Sequence, residues 1–209
     1  MDNPKPLLKI DSSTAKDLEG YVSIGTDLHY VMRVIHAAAQ FLESGQEDDF
    51  TLPTYLSAAL VAYARPFKDG IRGIKKLNLE ASVIYKEFEG AEKLHEYLIS
   101  QRDKLVAHSV SPFETANVGV ILNEEGKPAG VGYLSSRLVS FTLEDFKQFN
   151  QLAKIALEAV NVKISELQKQ LLKEVRRFTD EELGNLKPVR YTTPHPDEAH
   201  DSRRKLKKS

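Results

Sequence analysis

Apolar side chains recur at helical spacing through most of this 209-residue chain, and that period constrains the fold more than any motif does. The longest stripe is Phe146, Phe149, Ala153, Ala156, Val160, Leu167 and Leu171, running to about Phe178. Thr142 precedes it, with Asp145 standing where a capping box usually has Glu. Leu28, Val31, Ile35, Ala38 and Leu42 form an earlier stripe, with Thr26 or Asp27 as N-cap and Ser44-Gly45 closing it. Thr54, behind Pro53, opens a second helix carried by Leu56, Leu60, Tyr63 and Phe67. Pro66 lacks an N–H there, so a kink or restart is expected. Gly70 and Gly73 make residues 66–90 broken helix and loop. A third helix is expected from about Ala91 to Ala107, with Leu94, Leu98 and Leu105 on one side.

The period falls to two only at Val118, Val120 and Leu122, and again at Val131 and Tyr133, around the turn-forming run Asn-Glu-Glu-Gly-Lys-Pro. That pattern predicts a β-hairpin within about 115–140. Two strands are too few to stand alone, so the hairpin is expected to lean on helices. The predicted fold is mainly α: a four-helix bundle with a small β-hairpin inserted between the third and fourth long helices. Residues 1–20 read as a loose arm, 21–186 as a single helical-bundle domain, and 187–209 as a solvated, basic, proline-bearing tail. A short helical turn is expected at Thr179, where Glu182 completes a capping box.

Composition excludes several functions. There is no cysteine, which removes disulfides, thiol nucleophiles and the usual structural zinc sites. His29 and His36 lie seven apart, about 10 Å along a helix, too far to share a metal. No metal site is expected. The chain has no phosphate-cradling glycine loop, no Gly-x-Ser-x-Gly and no His-Glu-x-x-His, and no cofactor is expected. No apolar run approaches a membrane span, and a soluble, cytoplasmic protein without membrane association is predicted. Lys and Arg number 29 against 30 Asp and Glu, a net charge of −1. Any contact with RNA must therefore come from a local patch.

One segment carries candidate chemistry: Gln101-Arg102-Asp103-Lys104-Leu105-Val106-Ala107-His108. Arg102 and His108 end an amphipathic helix, and on regular α geometry they flank its Leu94–Leu98–Leu105 stripe about 120° apart. One copy would not easily aim both at a single phosphate; two copies about a two-fold axis could. A second Arg–His spacing, Arg190 to His195, falls in the proline-rich tail and has no helix to ride on. The first segment resembles the Arg-x(4–6)-His signature of the HEPN superfamily, and Ala62-Tyr63-Ala64-Arg65-Pro66-Phe67 is similar to segments in such proteins. The resemblance covers roughly residues 26–108 and 142–178, and the hairpin departs from it.

The resemblance implies a metal-independent endoribonuclease, a toxin or phage-defence effector, working as a homodimer on RNA with an antitoxin as protein partner. Arg102 would hold the phosphate, His108 would move protons, and Asp103 would orient one of them. Arg65, Lys68, Arg72 and Lys104 would bind substrate, within a basic run that continues to Lys75 and Lys76. By position rather than by resemblance, the hairpin starts within about ten residues of His108 and is expected either to lie over that helix end as a lid or specificity loop, with Tyr133 and Arg137 as its side chains of interest, or only to seal the bundle. The alternatives are a noncatalytic helical dimerisation or partner-binding module, and a nucleotide-binding bundle. For each charged residue the competing account is an ordinary solvated face, or a helix-end His interacting with the last carbonyls.

Overall fold

The computed structural model describes residues 6–189 and 197, apart from 47, 49, 69–70, 73–74, 108–113 and 138–140; at 71–72, 75–76, 105–107, 114 and 136–137 it describes the backbone alone. Two long helices frame the molecule. Helix α1 spans Ser13–Glu43 and α5 spans Leu143–Val175. They run antiparallel: Ser12 and Thr14 donate to the Glu174 carboxylate at 3.3 and 2.6 Å, while Gly25 sits against Leu157, Val160 and Ile164.

The start of α1 corrects the expected loose arm. The chain is helical from Ser13, and Ser12 caps it by accepting from the Ala15 N–H at 3.1 Å. Thr26 is not a cap: it lies inside α1 and donates to the Val22 carbonyl at 3.0 Å. Asp27 is not a cap either and is buried. The α5 start does follow the sequence. Thr142 Oγ1 accepts from the Asp145 N–H at 3.2 Å, and Asp145 accepts from the Thr142 N–H at 2.7 Å.

Helix α2 (Thr51–Ala64) packs along α1. Pro53 falls in its first turn, where a missing N–H costs nothing. Pro66 ends the helix rather than kinking it: Phe67 and Lys68 turn back onto the Ala64 carbonyl, and Pro66 itself accepts from the Leu79 N–H at 2.8 Å. A two-residue antiparallel ladder follows, β1 (Ile71–Arg72) with β2 (Lys75–Lys76), then the short α3 (Ala81–Ile84). Leu77 reaches α1 at Gly20, where an added Cβ would lie 2.6 Å from its Cδ2. The absence of a side chain at residue 20 is what admits this loop.

Gly90, at φ 75°, turns the chain into α4 (Ala91–Gln101). Its core side buries Ala91, His95 and Leu98. The helix then widens into a π-helical segment, Arg102–Ala107. The hairpin is present as β3 (Glu114–Leu122) and β4 (Pro128–Arg137), with Val118 opposite Tyr133, Val120 opposite Val131, and a register shift after Ile121. Asn123 organises its turn by accepting from the Glu125 and Lys127 N–H groups at 3.1 and 2.9 Å. The expectation that it leans on the helices fails: from Thr115 to Ser135 every residue is exposed except half-buried Gly132.

Helix α6 (Asp180–Gly184) carries the expected Thr179–Glu182 capping box. Beyond it, Lys9 N–H donates to Lys187 O at 2.8 Å and Val189 N–H to Leu7 O at 2.7 Å. The segment read as the start of a solvated tail is therefore paired with the N-terminal segment at Leu8–Pro188. The rest of that tail, except Asp197, lies outside the described residues. The core joins Ile24, Leu28 and Val31 of α1, Leu60 and Tyr63 of α2, Leu98 of α4, and Phe146, Phe149 and Val160 of α5. The fold is mainly helical, with the β3–β4 hairpin and the two-residue β1–β2 ladder as its antiparallel pairs among the described residues, and among these residues no helix is long and apolar enough to cross a membrane.

Candidate functional site

The end of α2 and the end of α4 meet, and the contact brings together charges that are distant in sequence. Lys68 follows the turn that Pro66 forces, and Arg102 and Asp103 open the π-helical segment. The Asp103 carboxylate accepts from Lys68 Nζ at 2.7 Å through one oxygen and from Arg102 Nη1 at 2.9 Å through the other. The Lys68 hydrogen bond first, and Arg102 after it, hold the Asp103 carboxyl below the usual carboxylate range against the opposing pull of partial burial. All three side chains remain between a third and a half exposed. Arg102 Nε is buried and has no hydrogen-bond partner among the described residues.

The π-helical turn alters the sequence geometry. In an i→i+5 ladder each residue advances less about the axis than in an α-helix, so the 120° offset between Arg102 and His108 does not carry over. Nothing in Arg-Asp-Lys-Leu-Val-Ala, which has no Pro or Gly, announces the widening. His108 lies outside the described residues. Lys104 is exposed. Arg72 belongs to β1 by its backbone, and its side chain is outside the described residues.

Arg65 stands apart from this cluster. Its guanidinium pairs with Asp27 Oδ1 at 3.0 Å, across the α1–α2 seam. The pair rims a solvent-open groove of about 690 Å³, lined by Thr26, Tyr30, Ser57, Ala58 and Val61 among others. The basic run does not act as one stripe, as Pro66 already suggested: Arg65 faces one groove, and Lys68 joins Arg102 and Asp103. His29 and His36 are exposed, and no group of three metal-binding side chains occurs among the described residues.

Behind the charged cluster lies a polar chain that sequence reasoning missed. His95 Nδ1 and Tyr63 Oη are 2.9 Å apart, as are Tyr63 Oη and Tyr85 Oη. Tyr85 donates to the Leu152 carbonyl at 3.4 Å. Because a carbonyl can only accept, direction propagates backwards: Tyr85 accepts from Tyr63, Tyr63 accepts from His95 Nδ1–H, and Nε2 is left as the acceptor nitrogen. Burial, and then the Lys68 charge, press the imidazole pKa down to about 4. Burial also pushes both tyrosine hydroxyls above their ordinary value. Phe67 closes the nest edge-on, 4.5 Å from the imidazole. One signal for His95 was available: it lies four residues after Ala91 and three before Leu98, on the buried stripe.

The hairpin does not act as a lid that buries side chains over this end. Tyr133 is 79% exposed, and the Arg137 side chain is outside the described residues. No protein-family model, no curated protein and no solved structure matches this chain.

Proposed function

We propose that this chain is a metal-independent endoribonuclease with a HEPN-like four-helix arrangement, acting in the cytoplasm as a toxin or phage-defence effector under the control of an antitoxin. The observation that carries the reading is the placement of Arg102. It is oriented by Asp103, flanked by Lys68, still a third exposed, and supported by a π-helical turn of a kind frequent at functional sites. A guanidinium so held offers planar, permanently charged contact to the non-bridging oxygens of a phosphodiester.

In the reaction the ribose 2′-oxygen attacks phosphorus and the P–O5′ bond breaks. The nucleophile is internal to the substrate, so positioning replaces the generation of hydroxide. The 2′-OH proton passes to a base and the departing O5′ receives one, with His108 the proton-exchanging group. Arg102 and Lys68 balance the charge that builds on phosphorus oxygens. Asp103 is a positioning residue. The products are a 2′,3′-cyclic phosphate and a 5′-hydroxyl.

Labelled RNA incubated with the protein in chelator tests this. Cleavage should leave a cyclic phosphate and should fall on the order of 100-fold or more in His108→Ala and Arg102→Ala, with helicity retained. Full activity in His108→Ala overturns the reading. A second reading, a noncatalytic dimerisation module, is favoured by the apolar residues exposed along the hairpin. It is distinguished by RNA left intact while self-association persists.

A further inference from the structure

Strand alternation sorts the hairpin into two faces. Val118, Val120 and Leu122 of β3 share one face with Val131 and Tyr133 of β4. Their exposures are 76, 61, 57, 75 and 79%. The opposite face is built differently: Ile121 folds across Gly132, its Cδ1 3.2 Å from where a Cβ would stand, and Gly119 and Gly130 leave it thin. A two-stranded ribbon has no core of its own, and five contiguous apolar side chains exceed the scattered exposure normal for a monomer. We infer that this face is the surface through which two copies of the chain pair, ribbon on ribbon about a two-fold axis.

Two features select a second copy as the occupant. The face carries no ionisable side chain from Ala116 to Leu122, so a charged partner finds nothing to recognise there; Glu124 and Glu125 lie beyond it in the turn. The area suits a weak dimer. The five residues expose roughly 500–600 Å² per copy, so stacking two faces buries at most about 1,000–1,200 Å², the range of weak, transient pairing. A patch that meets itself is isologous and closes at two copies. The inference stands whether or not the chain cuts RNA.

Sedimentation equilibrium of the full chain from about 1 to 200 μM, a range bracketing modest affinities, tests it. The unaltered protein should dimerise. Val118→Asp and Tyr133→Asp should each weaken the dimer on the order of 100-fold, since the contact would have to desolvate two carboxylates. Leu134→Asp, on the other face, should leave it intact. Circular dichroism should show the bundle unchanged in all three. Should an aspartate variant misfold, the Val118→Thr, Val131→Thr double variant keeps strand propensity and must still weaken pairing about 10-fold. A monomer throughout the range, a dimer indifferent to these changes, or equal damage from Leu134→Asp overturns the proposal.

Discussion

His95 shows how a single side chain can set the acid limit of the fold. Its pKa drops from 6.5 to about 4 in the folded chain, so the unfolded state binds the extra proton between those values. Stability is therefore full above the unfolded pKa and is lost as pH falls towards the folded one. The shift corresponds to at most about 3 kcal/mol. Asp103, whose carboxyl is held down by Lys68 and Arg102, adds loss in the same direction at still lower pH. Urea unfolding between pH 7 and 4.5 should show this slope, and His95→Gln should flatten it without abolishing the fold. A variant with the same pH dependence as the parent would remove His95 as the cause.

At the scale of elements, the places where sequence and structure agree have strong local chemistry. The α5 box, Thr142 with Asp145, and the Asn123 turn are set by neighbours three or four residues away, and both are legible in the chain. What escaped depended on distant partners. Ser13 to Gly20 looks polar and glycine-containing, yet it is helical because Thr14 and Ser12 reach Glu174 and Gly20 makes room for Leu77. The π-helical turn at Arg102 has no local marker, and the Lys68–Asp103 contact joins residues 35 apart. Of the candidate site, Arg102, Asp103 and Lys68 were legible by type and do converge, whereas Arg65 diverges to Asp27. The hairpin was found, but its lack of support was not, because alternation shows which residues share a face and not what covers them. Replacing residues 115–135 with a short Gly/Ser linker should leave the thermal midpoint of a dilute sample within a few degrees of the parent, since little of the hairpin is buried. A large fall in melting temperature would show that the ribbon supports the bundle after all.

For the whole molecule, the principal interface joins α1 to α5. Thr14 and Glu174 are 160 residues apart and bonded at 2.6 Å, and Ile24, Leu28 and Val31 share a core with Phe146, Phe149 and Val160. Deleting residues 1–20 removes the Ser12 cap, both hydroxyl contacts to Glu174 and the Leu77 seat. It should cost about 2–4 kcal/mol in denaturant unfolding, as the sum of a cap and two or three part-buried hydrogen bonds. A loose arm would cost nothing, so the measurement decides between them.

The same long-range pairing sets the order of events during synthesis. Helix α1 (Ser13–Glu43) is made well before α5 (Leu143–Val175), so the side of its apolar stripe that faces α5 has no partner until the intervening chain has been synthesised. Closing so wide a loop is entropically slow. Until α5 is made, only the side of that stripe facing α2 is covered, and stalled translation in that interval would leave the α5 side open to aggregation.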